Sequence, residues 1–131
     1  MLDTRFPRPP GDVGHAGSWR MPVRYQVVPG ATPQRVVQQA DAALLQPFIE
    51  AARALAAQGA AAITTGCGFL VRFQSALQAA LPVPVWTSSL LLLPHLRRPA
   101  VLTVDAQAFE PALLAAAGAA PDTPVGGLAP G

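Results

Sequence analysis

Apolar residues recur along this chain in two periods. Val23, Tyr25 and Val27 alternate with Arg24, Gln26 and Val28, the period of two that lays one face of a strand on a core, and Pro29-Gly30 closes the run. Leu44, Phe48, Ala52 and Leu55 step by four, four and three, the spacing of one helix face. That helix runs to Gln58 with Gly59 as terminator, and Pro47 sets its start near Leu45, because proline fits the first turn and breaks later ones. Thr32-Pro33 opens a shorter helix through Gln39, a hydroxyl cap followed by proline at the first helical position.

The same reading extends to both ends. Met1 to Thr4 is the tail of a strand that breaks into a loop, Arg5 to Trp19, crowded with proline and glycine. Ala60 to Thr65 is a short apolar run without polar alternation, as expected for a strand covered on both faces. A cycle follows: helix Phe69 to Leu81, strand Val83 to Thr87, short helix Ser89 to Leu96, strand Ala100 to Val104, helix Phe109 to Ala117 ending at Gly118, and strand Thr123 to Leu128. Strands alternating with helices define an α/β chain with a parallel, Rossmann-like sheet. We divide it into a first lobe, residues 1–98, and the start of a second, residues 99–131. The first strand begins with almost nothing before Asp3, and the last is followed only by Ala129-Pro130-Gly131. Both edges read as cut, and the chain reads as too short for a complete enzyme.

Composition narrows the picture. Half of the 131 residues are apolar and 12% are charged, with 15 prolines and 11 glycines, which suits a globular chain and neither a disordered nor a collagen-like one. All nine basic residues are arginine. They form no stripe with interleaved aromatics, which argues against nucleic acid as a partner. The longest leucine run, Leu90 to Leu93, stops at Pro94, well short of the ~18 apolar residues that suggest a membrane span. The N-terminus lacks the layout of a secretory signal and the lone cysteine has no disulfide partner, so a reducing cytoplasm is the expected compartment.

Ligands of open α/β sheets gather beyond the carboxyl ends of the strands. Three such ends are polar here: Asp3-Thr4, Thr64-Thr65-Gly66-Cys67-Gly68 and Thr87-Ser88-Ser89. Cys67 is the catalytic candidate, because a thiol just before a helix sits at the positive end of its dipole, which favours thiolate. As a small apolar residue it would be ordinary core, but glycines on both sides point to tight turning and close approach of a ligand. The glycines do not complete a dinucleotide fingerprint, and no acidic residue ends the next strand to hold a ribose. Four residues separate Cys67 from Arg72 where a phosphatase loop needs five. His15 is a further candidate if its loop folds over the sheet, and Asp12 there suits a turn. His95 suits a helix C-terminus. Neither histidine has a cysteine or carboxylate at metal-ligand spacing, so no metal site is expected.

MLDTRFPRPPGDVG, VRYQVVPGATPQRVV, AAITTGCGFLVRFQ, PVPVWTSSLL and AVLTVDAQAF together resemble the aspartate/glutamate racemase family of cofactor-independent racemases and isomerases. The resemblance implies two facing α/β lobes and a cysteine from each on opposite sides of a substrate α-carbon. It also implies no cofactor and a small carboxylate-bearing substrate. Carried over, it makes Cys67 the first-lobe base, Thr65, Gly66 and Gly68 the cradle of the carboxylate, and Asp3, Thr4, Thr87 and Ser88 lining of the cleft. His15 stands where the family pattern has asparagine. No second cysteine is present, so two-base racemisation cannot run on this chain alone, and the resemblance is to a truncated member. Two alternatives stand beside it: a non-catalytic carboxylate-binding protein whose unfinished edges pair with another chain, a homodimer included, and a single-thiol decarboxylase or hydrolase.

Overall fold

A computed structural model of the protein describes residues 1–128. Its longest element, α1 (Leu45–Ala57), starts where Pro47 requires, after a 3-10 turn capped by the Asp41 carboxylate, which accepts from the Ala43 N–H. It buries Phe48, Ile49 and Ala52 and ends before Gly59, whose φ of +97° suits a residue without a Cβ. Strand β1 (Ile63–Thr64) follows, then a 3-10 helix, Gly68–Phe73, continuing into α2 (Gln74–Ala80). Strand β2 (Val85–Trp86) lies parallel to β1, with Ile63 opposite Val85 and Thr64 opposite Trp86. Another 3-10 helix, Ser89–His95, leads to β3 (Val101–Thr103), α3 (Pro111–Ala116) and β4 (Val125–Gly127), and β3 pairs with β4, again parallel. Ala129–Gly131, read on the sequence as following the last strand, lie outside the described residues.

The helices meet in one core. Leu44, Leu70 and Leu113 are buried, and the Phe48 and Phe73 rings pack at 6.1 Å between centroids. Each such leucine contributes about 2 kcal/mol from the apolar area it removes from water. Phe69 meets Phe109 edge-on at 5.9 Å. Side chains on either side of residue 98 thus pack against each other.

Three elements differ from the sequence reading. The strands do not join in one sheet but form two separate parallel pairs. The outer edge of β2 is occupied instead by two glutamines one turn apart on α2. Gln74 Nε2 donates to the Val85 carbonyl at 2.6 Å, and Gln74 Oε1 accepts from Thr87 N–H at 2.9 Å and Thr87 Oγ1 at 2.7 Å. Gln78 Oε1 accepts from Val85 N–H at 2.9 Å, and Gln78 Nε2 donates to the Val83 carbonyl at 3.0 Å. Groups that a third strand would pair are thus already satisfied.

Met1–Thr4 and Val23–Val28 form no regular strands. They touch through Met1 N donating to the Gln26 carbonyl and Val28 N–H donating to the Met1 carbonyl, one rung of a parallel ladder. The turn at Pro29-Gly30 diverts the chain, so that Asp3 N–H reaches Ala31 instead of Val28. The helix after Thr32-Pro33 is a five-residue π-helical turn, Gln34–Gln38. Just past its Gln39 cap lies Ala40, a non-glycine residue with φ of +48°. Arg35 clamps Asp41 at 2.8 Å across this end and holds that carboxyl below its usual range. Among the described residues no helix is long and apolar enough to cross a membrane.

Candidate active site

The apolar run of β1 ends in Thr64-Thr65, and the chain turns through Gly66-Cys67-Gly68 into the 3-10 helix. Cys67 occupies the N-cap position in extended conformation. Thr65 Oγ1 accepts from the Cys67 N–H at 3.3 Å and donates to the Thr87 carbonyl at 2.5 Å, tying the turn after β1 to the turn after β2. Ser88 caps the next helix by accepting from Leu90 N–H at 3.1 Å. A Cβ on Gly68 would stand 3.2 Å from Ser88 Oγ, and one on Gly66 would stand 3.3 Å from Met1 Sδ. A side chain at either glycine position would thus crowd its neighbour, which would have to give by a few tenths of an ångström. Neither has positive φ, so the tight turning inferred for them is not their role.

An open cleft of about 890 Å³ lies over these turns. Cys67, Thr65, Gly66, Gly68 and Ser88 all line it. The remaining candidates serve elsewhere. Thr87 is fully buried and its hydroxyl donates to Gln74. Asp3 accepts from Gly30 N–H at 2.9 Å, and Thr4 Oγ1 accepts from Arg8 Nη2 at 3.0 Å. His15 Nδ1 accepts from Gly17 N–H and caps its own turn. The proline- and glycine-rich loop does fold over the sheet, but it delivers Val13 rather than His15 to the cleft. Asp12 organises that loop as a turn residue, accepting from Gly14 N–H at 2.7 Å and pairing with Arg8 at 3.2 Å.

The charge state of Cys67 differs from the dipole expectation. Burial pushes the thiol above its ordinary range and outweighs the opposing influences: the N–H groups of Phe69 and Leu70, then the Arg72 guanidinium and the N-terminal ammonium. A six-residue 3-10 turn supplies little of the dipole that a long helix would. Arg72 Nε donates to the Phe69 carbonyl at 3.2 Å, while its Nη2 is buried without a partner among the described residues.

Sequence reasoning missed Trp86, Leu92, Gln74 and His95 in the cleft lining. For Trp86 a signal existed, since a residue alternating with the buried Val85 must face the other way. The glutamines carried no such signal, because polar residues on a helix are ordinarily its solvent face.

In sequence the chain is similar to proteins named as lyases. The chain is 41% identical to dimethylsulfoniopropionate lyase 7 of Emiliania huxleyi over 95 residues, 71% of this chain and 28% of that protein. It is 41% identical over 95 residues to dimethylsulfoniopropionate lyase 6 of the same organism, covering 71% of this chain and 24% of that one. It is 38% identical over 98 residues to a dimethylsulfoniopropionate lyase of Durusdinium, covering 72% of this chain and 32% of that protein. The matched stretch thus spans about a quarter to a third of each relative's length. Wherever it begins, a stretch this long takes in everything from Ile63 to Leu92. No family model and no solved structure matches the chain.

These relatives overturn the assignment to the aspartate/glutamate racemase family and, with it, the isomerase and racemase reading. The physical reason lies in what the motif specifies. A thiol between glycines at a strand end is compatible with a base in more than one chemistry, since one base serves a bond cleavage as readily as a proton exchange. Of the functions weighed on the sequence, the single-thiol decarboxylase or hydrolase alternative fits the relatives better than racemisation does, in so far as a decarboxylase is also a bond-cleaving lyase.

Proposed function

We propose that this chain carries the thiol-bearing part of a lyase acting on a small carboxylate whose leaving group is a sulfonium, with Cys67 as the base. The observation that carries the reading is the match to dimethylsulfoniopropionate lyases across the segment that builds the Cys67 cleft. In the proposed reaction the Cys67 thiolate takes a proton from the carbon next to the substrate carboxylate. The electrons of that C–H bond form a carbon–carbon double bond, and the carbon–sulfur bond breaks with its pair leaving on sulfur. Dimethyl sulfide departs neutral, an unsaturated carboxylate remains, and the thiol returns its proton to water. No second cysteine is required, because no proton is delivered to the opposite face.

The cleft suits the task in two respects. Ser88 brings to the turn beside the thiol a hydroxyl that accepts from Leu90 N–H and whose own proton is taken by no hydrogen bond among the described residues, and such a donor accommodates the carboxylate as its neighbouring carbon becomes acidic. Burial raises the basicity of the thiolate, which strengthens proton abstraction and reduces the fraction ionised at neutral pH.

The test is release of dimethyl sulfide from dimethylsulfoniopropionate, followed by headspace gas chromatography, with the unsaturated acid followed by NMR. Because the folded thiol titrates above the free value of ~8.5, the rate should keep rising as pH passes that value. Cys67→Ser should lose about 100-fold or more. Release by the wild type no faster than in buffer would overturn the reading, and undiminished release by Cys67→Ser would remove Cys67 as the base.

A further inference from the structure

We infer that Trp86 is the specificity-determining residue of the cleft, binding the sulfonium end of the substrate on its indole face. The inference rests on the lyase reading above and adds what recognises the cation. Trp86 stands opposite Thr64 in the β1–β2 register, one row before the Thr65–Gly68 turn. Thr64 Oγ1 donates to the Trp86 carbonyl at 2.8 Å and locks that register. The neighbouring residues Val85 and Thr87 point into the core, so Trp86 is directed outward into the same cleft that Cys67 lines.

Its exposure sets it apart from the other tryptophan. Trp19 is half-buried, with its indole N–H donating to the Val13 carbonyl and the Tyr25 hydroxyl. Trp86 is 56% exposed in the cleft lining, so its indole face is open to a ligand. Among the described residues the cleft lining contains no aspartate or glutamate. The anionic partner that a cationic substrate group would ordinarily find is absent there, and the face of an indole is the strongest aromatic alternative. A sulfonium also carries methyl groups that exclude water from the ring, so dispersion and the ring quadrupole act together. With its positive end on Trp86, a propionate-length substrate extends along β2 toward the turn that holds Cys67 and Ser88.

The test compares two ligands of equal shape on the full chain: dimethylsulfoniopropionate and 4-methylpentanoate, which replaces the sulfonium by a neutral CH. Binding is measured by calorimetry on Cys67→Ser protein to prevent turnover, in the Trp86, Trp86→Phe and Trp86→Leu backgrounds. With Trp86 present the sulfonium should bind about 2- to 30-fold more tightly than its neutral isostere. Trp86→Phe should retain part of that preference and Trp86→Leu should abolish it, with affinity for 4-methylpentanoate nearly unchanged. A preference that survives in Trp86→Leu would overturn the assignment while leaving the lyase reading standing. Failure of the Trp86 protein to bind the sulfonium at all would overturn both. Circular dichroism and melting temperature, unchanged in Trp86→Leu, establish that an outward side chain and not the fold has been altered.

Discussion

The two parallel strand pairs are built alike but close their polar ends differently. In both, a short strand ends in polar residues and leads through a helix to its parallel partner. After β1, the polar end is tied sideways: Thr65 bonds to Thr87, Gln74 bonds to Thr87 and Val85, and Ser88 stands against Gly68. After β3, the polar end is closed on itself, with the Asp105 carboxylate accepting from Gln107 and Ala108 N–H groups. Asp105 lines no part of the Cys67 cleft. The difference teaches that a polar strand end becomes a site when its side chains hold the next strand end in place and leave a wall open. Where they cap only their own turn, they finish a fold.

The most damaging way to break this contrast is to remove Gln74. Gln74→Leu keeps the volume but leaves Thr87 N–H, Thr87 Oγ1 and the Val85 carbonyl without their partner, at residues that are 0% and 1% exposed. Unsatisfied buried groups cost about 1–3 kcal/mol each, and partial rewetting should hold the total to roughly 2–4 kcal/mol in urea unfolding. Activity at the Cys67 cleft should fall as well, because the Thr87–Ser88 turn loses its anchor. A variant as stable as the wild type would mean that the β2 edge does not depend on this side chain.

Gln78→Leu separates edge protection from anchoring. Gln78 binds Val85 N–H and the Val83 carbonyl but is itself exposed, so water replaces part of what is lost. We expect a loss of about 1 kcal/mol, with turnover by the cleft close to that of the wild type. A loss of activity equal to that of Gln74→Leu would show that the whole edge, and not the Thr87 anchor, shapes the site.

Much of this contrast was legible in the chain, and the illegible part has a physical pattern. Cys67 stood out because a polar, glycine-flanked turn interrupts an apolar run, a signal contained within a few residues. The start of α1 was legible for the same reason, since Pro47 constrains its own neighbourhood. What failed was non-local. Val23–Val28 has the alternation of a strand, yet pairing depends on a neighbour, and Met1–Thr4 offers one rung before the Pro29-Gly30 turn diverts the chain. Gln74 and Gln78 occupy ordinary helix-surface positions, and only the proximity of β2 turns them into a substitute strand. The charge state of Cys67 likewise depends on burial contributed by distant segments, which here outweighs the local dipole. The family resemblance failed on another count, because a glycine-flanked thiol turn is compatible with more than one chemistry.

The smallest expected effect lies at the counterpart of Trp86 in the second pair. Leu102 occupies the middle row of β3 opposite Gly126, as Trp86 occupies its row opposite Thr64, and it is 73% exposed. Outward leucines contribute little when nothing covers them, and threonine is at home in a strand. Leu102→Thr should therefore change stability by no more than about 0.5 kcal/mol and leave the sulfonium preference of the cleft untouched. A loss above about 1 kcal/mol in urea unfolding would mean that the outer face of β3 is covered in solution. The second pair would then also present a working surface, and the division between a site-forming sheet and a fold-finishing one would have to be redrawn.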